Sequence, residues 1–548
     1  MWFWLDQHLH QLEAERLIRL AVAEERGYWF KHALIQEAAY GTLVRRARLR
    51  IHRAVAETLE ATYAAQRAEW AAVVGHHYRE AEDERAAAYF ALAGEQALAR
   101  YANAEATQHY REALRLTHIP ITPVEQRAHA GWLSGLGRAL NRQSQYTDAI
   151  AVWQQAIALY QTLGETEALA RLYARAARAS WWSGNTPQAL ALCRAGLAQI
   201  PPQLETPGLA ALLHEAARAC FFNGELAEAR PLCERGLALA QRLNALPVQI
   251  EALTTLALLL RREHASDRAL ELLHHATQLA EASGLPTGEL LLAAGRAYNN
   301  LAELLEEDLG DLAAAREQYQ RSADMVRRRR SANEELFVLN QIAAVTLLQG
   351  DLAGVTQLLP ALRTLGKETG NAGLGSLNLL WVEGQLWRYQ GEGARALACL
   401  RACQAALRQR GDQEHLGRAD FSLAELLLDL GDLPAAREAA QEAVEISDRG
   451  LGPQIRARGL LASVLIQQGD LTAARAWLTE ARALAGPQPL PLDQAHLLLA
   501  VARLAVAHKE WAVAFNAFES AAAVEAHLGR RWYAAQVQRE WAAARAQA

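Results

Sequence analysis

Lysine is nearly missing from this chain of 548 residues: only Lys31, Lys367 and Lys509 occur, so arginine carries almost all of the positive charge. A Schiff-base or phosphate-binding lysine therefore has almost nowhere to sit. Cysteine is scarce too. Cys193, Cys220, Cys233, Cys399 and Cys403 are odd in number and form no CxxC pair, which argues against a disulfide framework and for buried thiols in a reducing compartment. Aromatic residues make up only 7%. No run approaches the roughly 18 apolar residues that a membrane span requires. The opening MWFWLDQHLH lacks a basic leader and carries Asp6, unlike a signal peptide. A net charge of −5 supplies no field that would draw the chain to nucleic acid or to an anionic membrane.

Several catalytic patterns are absent as well. No GxxxxGK[ST] loop exists. The one Gly-Lys pair, Gly366-Lys367, is followed by Glu368 and has Ala361 where the first glycine belongs, so no backbone cradle for a nucleotide's phosphates is available. Neighbouring histidines such as His76 and His77 point about 100° apart on a helix and chelate poorly, and no H-x3-H pattern with a carboxylate follows. No nucleophile elbow is recognisable. These absences predict a soluble, cytoplasmic protein that is not an enzyme and needs no cofactor or metal.

What the chain does contain is repetition. A turn-forming pair with an alanine five residues after its first member recurs as GNTPQA (184–189), GELAEA (224–229), GDLAAA (310–315), GEGARA (391–396), GDLPAA (431–436) and GDLTAA (469–474). Weaker copies begin at Ser144, His264, Gly350 and Lys509. The spacing is close to 40 residues except for one step of 46, from His264 to Gly310. Seven residues before each turn stands a small residue, among them Gly137, Ala177, Ala217, Ala257, Ala343, Gly384 and Ala424. The long unit instead offers Ala302, eight residues before Gly310. A second small position follows the turn by twelve residues and includes Ala156, Gly196, Gly236 and Cys403. Small residues at fixed points let two amphipathic helices approach closely as a hairpin, and stacking on the next hairpin completes its core. Cys193 and Cys233 hold equivalent places in successive units and read as buried, inert thiols.

This pattern resembles the tetratricopeptide repeat, most clearly in YNNLAELLEEDLGDLAAAREQYQRSADM (298–325). The resemblance implies an all-α fold: a right-handed α-solenoid of about 10–11 hairpins over residues 124–548, ending in a capping helix. Residues 63–119 form a helical adaptor of irregular repeats. Residues 1–62 differ. Phe30, His32, Ala33, Leu34, Glu37, Ala38 and Tyr40, then a run of arginines, His52 and a helix to Glu60, resemble the junction that closes the winged-helix region of bacterial signal-transduction ATPases of the STAND type. Residues 76–106 continue that resemblance into the sensor arm of such proteins. The resemblance implies a winged-helix remnant at 1–62 whose junction residues Phe30, His32, Glu37, Tyr40 and His52 hold a seam rather than react. It also implies an ATPase or output domain as partner, and a role in signal transduction or transcriptional regulation.

Repeat arithmetic picks out a candidate groove. Six residues before the turn, successive units carry Arg138, Arg178 and Arg218, while later units carry Gln385, Glu425 and Ser463. Beside the early arginines stand Trp181, Trp182, Phe221 and Phe222. Such an arginine ladder with aromatic plates suits a peptide or a small anionic ligand through bidentate and cation–π contacts. The competing reading is that these arginines pair with neighbours such as Glu215 and that the aromatics pack between helices. The expected function is a non-catalytic, ligand-sensing interaction module of a STAND-like regulator. A free-standing scaffold that bridges two protein partners is the alternative.

Overall fold

The computed structural model describes residues 2–20, 28–201, 203–284, 287–369, 374–448 and 454–548. These cluster into two compact units, Met1–Leu136 and Gly137–Ala548. Residues 21–27 of the expected winged-helix remnant lie outside the described residues.

Ten helical hairpins follow one another from Pro123 to His527, and the helix Arg531–Gln547 succeeds them. The fold is an all-α solenoid of repeats. Its hairpins turn where the repeat pattern puts them. Residues 144, 184, 224, 264, 310, 350, 391, 431, 469 and 509 all have positive φ, between 57° and 89°. Seven of them are glycine, the residue that adopts this left-handed conformation without a Cβ penalty. Ser144, His264 and Lys509 adopt it with a side chain. The small positions lie at the helix crossings: Ala177, Ala217, Ala257, Ala302, Ala343, Ala424, Ala462 and Ala502 are all fully buried. At Gly137 an added Cβ would stand 2.3 Å from the Trp153 indole, and at Gly384 it would stand 2.8 Å from Leu400. All five cysteines are free, and Cys193 and Cys233 are completely buried.

One of the six surplus residues in the 46-residue step has a visible structural cause. Residues Leu305–Leu309 form a π turn at the end of the helix Gly288–Leu304. Elsewhere the residue after the turn donates its N–H five positions back, as Glu225 does to Cys220, Asp351 to Thr346 and Asp432 to Leu427. Asp311 reaches six back, to Leu305. One surplus residue is absorbed as a π turn, which explains why Ala302 stands eight rather than seven residues before Gly310.

Met1–Leu136 opens with the helix Trp2–Ala14 and a short antiparallel hairpin, Ile18–Leu20 paired with Tyr28–Phe30. Strands of three residues leave no periodicity to read in the sequence. The helices Ala33–Gly41 and Arg45–Thr62 follow, then Ala71–Glu80, Arg85–Ala99 and Asn103–Leu116. The core of this unit gathers Ala56, Val74, Tyr78, Tyr89 and Phe90. No helix among the described residues is long and apolar enough to cross a membrane.

Candidate functional site

The arginine ladder is mostly neutralised from within. Arg178 donates from Nε and Nη2 to Glu215 Oε2 (2.9 and 2.8 Å) and from Nη2 to Glu251 Oε2 (2.9 Å). Arg218, 3% exposed, closes on the other oxygen of Glu215 and stacks over Trp181 at 4.6 Å. Burial would raise the Glu251 carboxyl, yet Arg178 and Arg296 hold it down at about 2. Burial likewise holds the His214 imidazole down at about 4, so this ring is neutral within the network. Trp181 packs on Phe222 with ring centroids 5.0 Å apart, and Trp182 stacks on Tyr146 and meets Phe337 edge-on. Phe221 is buried beneath Arg262. Arg138 stays exposed, apart from this cluster.

A cavity of about 360 Å³ lies further along the array, lined by segments spread from Phe221 to Tyr533. Of the seven groove residues named from sequence, Phe221 alone reaches it. The later ladder positions do better: Gln385 and Glu425 both stand on its wall. Six carboxylates and five arginines line the space, beside Phe337, Trp381, Tyr389 and Phe421, so it is nearly electroneutral but strongly polar.

The π turn supplies much of the acid. Asp308 accepts from Arg261 Nη2 (2.9 Å) and Ser266 Oγ (2.7 Å), and Glu307 shares the same arginine at 3.2 Å. Glu306 is buried and accepts from Tyr319 Oη at 2.9 Å. Burial pushes the Glu306 carboxyl up to about 7, against the opposing pull of Arg418. Facing these groups, Arg418 lies 4.5 Å over the Trp381 ring, whose Nε1 is anchored on Ser422 Oγ (2.9 Å). On another wall, Glu425 accepts from Arg388 (2.7 Å) and Tyr533 (3.1 Å). His496 is kept neutral by burial and by Arg530 and Arg456 nearby. The eight-residue spacing at Ala302 was the sequence signal for the acidic wall. Nothing local marked Arg418.

The junction residues separate into two groups. Tyr40 Oη and His52 Nε2 are 3.0 Å apart, and His52 Nδ1 meets His77 Nδ1 at 2.8 Å, forming one chain of hydrogen bonds. His32 stands at the N-terminus of the helix Ala33–Gly41, and neither its side chain nor that of Glu37 joins this chain. Phe30 is 44% exposed. That helix buries none of its residues, and Leu20, Trp29, Leu34 and Val44 are exposed around it.

Cys220, Glu225 and Glu228 converge closely enough to hold a metal ion. The donors do not suit one, because burial pushes the Cys220 thiol up to about 12 and both carboxylates are engaged by Arg194.

Hairpins of this length, with small residues at the crossings and left-handed turns, define a tetratricopeptide-type repeat module. The tetratricopeptide repeat family matches residues 129–163 of this chain. No curated protein matches it. Among solved structures the chain is similar to a Rap protein complexed with competence and sporulation factor, at 12% identity and a TM-score of 0.49, covering 67% of this chain and 99% of that one. It is also similar to the apo form of RapI, at 12% identity and a TM-score of 0.40, covering 51% and 98%.

Proposed function

We propose that this chain is the ligand-sensing arm of a STAND-like signalling ATPase, and that it captures a peptide or small charged molecule inside the repeat array. The observation that carries this reading is the 360 Å³ cavity with its aromatic plates and convergent charges. Its size falls within the range of about 300–1,000 Å³ typical of ligand sites. Stacked repeats also build extended concave surfaces suited to peptides and proteins. Arg178 is committed to Glu215 and Glu251 and Arg218 to Glu215, so we place the ligand site in the later cavity.

Residues 1–62 act as the joint to the ATPase or output domain, with residues 63–119 as an adaptor to the array. The exposed apolar residues around the helix Ala33–Gly41 support this role, because an isolated helix that buries nothing gains its stability from a partner.

The test is to pan random short peptides against the folded chain and map them by crosslinking from a benzophenone side chain installed at Phe421, on the cavity wall. Selected peptides should crosslink there and not from Glu317, on an outer helix. Crosslinking only from Glu317, or capture of folded proteins with no peptide bound, would replace this reading with the bridging scaffold.

A further inference from the structure

We propose that the cavity takes a zwitterion, its cationic group set against Glu307 and Glu306 on the π turn and its anionic group held by Arg418. This rests on the reading of the cavity as the ligand site, and goes beyond it by naming the charge pattern of the ligand.

Arg418 is the unusual group. Several arginines held inside the array close ion pairs: Arg388 on Glu425 at 2.7 Å, Arg503 on Glu540 at 2.7 Å and Arg178 on Glu215 at 2.8 Å. Arg418 feels Glu307 and Glu306 electrostatically, yet among the described residues no carboxylate comes within ion-pair distance of it and no acceptor takes its N–H groups. Its ring stack on Trp381 holds the guanidinium plane in place without using any of those donors. A planar, pre-positioned fork of free donors is what bidentate capture of a carboxylate requires.

One acceptor of the lining, a turn beyond Trp381 on the same helix, is left without a donor. Gln385 is 3% exposed and lines the cavity, and its Oε1 has no hydrogen-bond partner. A buried acceptor left unsatisfied costs free energy, and a ligand N–H group would relieve it. Glu307 spends one contact on Arg261, which Asp308 already serves, and remains 38% exposed towards a ligand. Arginine neighbours, Arg261 foremost and then Arg456 and Arg418, overcome burial and keep Glu307 ionised, so it is the fixed negative charge on the π-turn wall while Glu306 titrates near neutrality.

A purely anionic ligand on Arg418 would lie against the π-turn carboxylates. A purely cationic ligand on the π turn would lie against Arg418. A ligand carrying both signs satisfies both walls and fills the open gap between them. Two sources share this chemistry, a free α-amino acid and a short peptide with free termini.

Calorimetry with four probes tests the inference: trialanine with free termini, N-acetyl-trialanine, trialanine amide and the doubly blocked tripeptide, with alanine as the free amino-acid arm. Trialanine should bind at least tenfold more tightly than either singly blocked form. R418M should bring trialanine down to the level of its amide while keeping its advantage over the N-acetyl form. E307Q should do the reverse. R418K, which keeps the charge but loses the planar fork, should fall between wild type and R418M. Alanine binding as tightly as trialanine identifies the amino acid as the source, and trialanine binding alone identifies the peptide. Equal binding by all four probes, an order unchanged in both variants, or no heat with any probe at millimolar concentration overturns the zwitterion. In each of those cases, peptides that still crosslink from position 421 would leave the cavity standing as the ligand site.

Discussion

Glu215 is 1% exposed and serves two arginines at once, one from its own helix and one from the preceding repeat. Removing one partner of a buried pair leaves the other charge desolvated and uncompensated, at a cost of about 3–5 kcal/mol. Because Arg178 would retain Glu251, E215Q should destabilise Gly137–Ala548 by about 3 kcal/mol, the low end of that range. Denaturant unfolding measures this, and a loss below about 1 kcal/mol, the worth of an exposed pair, would show that the network is not buried in solution. The histidine chain in the first unit makes a prediction about pH. Burial holds both His52 and His77 below the ordinary imidazole value; His76 and, for His77, the His52 charge add to it, while Glu80 opposes it. Their 2.8 Å contact needs one protonated and one bare nitrogen, so double protonation breaks it. With the folded values below the unfolded one, the contact contributes its full stability above about pH 6.5 and loses it as pH falls below that. Amide protection in the helix Arg45–Thr62, the exchange rate relative to the intrinsic rate at the same pH, should therefore fall between pH 7.5 and pH 5.5, and H52Q should remove most of that dependence. Unchanged protection across this range in wild type would contradict the pairing.

Between elements, the left-handed turns and the close crossings fix the spacing of the hairpins. Lys509 is exposed and holds φ at 59°, a conformation that costs an L-residue about 1–2 kcal/mol. Glycine removes that cost but gives back some chain entropy in the unfolded state, so K509G should stabilise the chain by about 0.5–1 kcal/mol, read as a higher Tm. A lower Tm would mean that the Lys509 side chain makes a compensating contact. The π turn allows a sharper test. Deleting one residue inside a helix ordinarily rotates everything beyond it by about 100°. Deleting Glu306 should instead restore the seven-residue spacing between Ala302 and Gly310 and leave the array folded, whereas deleting Leu259 from the helix Leu246–Arg262 should unfold that hairpin. Circular dichroism melts distinguish the two, and equal damage from both deletions would refute the surplus-residue account. These features were legible in the sequence for a physical reason. A left-handed turn selects glycine and a close crossing selects alanine, whatever the neighbouring repeat does. Gln385 and Glu425 were legible on the same footing, as ladder positions. The destination of Arg178 and Arg218 was only half legible: Glu215 was an evident partner, but Glu251 arrives from a different repeat. Arg418 was not legible, because which side chain it faces depends on how many small inter-repeat rotations add up, and no local pattern records that sum.

Those rotations bring distant repeats of Gly137–Ala548 into contact with one another. Asn333 donates to Tyr146 Oη at 3.0 Å across 187 positions, and Arg410 reaches the backbone oxygen of Trp182 across 228. Near the C-terminus, Trp532 stacks on Tyr389 at 4.3 Å, and Tyr533 bonds to Glu425 on the cavity wall. A linear solenoid transmits stability only between nearest neighbours. Contacts of this kind add a second path, so the last hairpin also stabilises the middle of the array. Leu528 marks where that path can be cut. It is 2% exposed and packs so closely over Gly310 that an added Cβ there would stand 2.0 Å from its Cδ2. L528A should leave a void beside the π turn and cost about 2–3 kcal/mol. Because Leu528 and Gly310 both line the cavity, the damage should be local to that wall. Amide exchange at Asp311 and along the helix Arg531–Gln547 should rise roughly 30-fold, the equivalent of 2 kcal/mol, while the hairpins between Thr166 and Arg262 keep their protection. Uniform loss of protection would mean that the array unfolds as one body, and no change at Asp311 would mean that the last hairpin does not brace the π turn. A ligand that fills the cavity binds both sides of this contact, so at 100 times its Kd it should restore about 2.7 kcal/mol and return the exchange at Asp311 close to the wild-type rate.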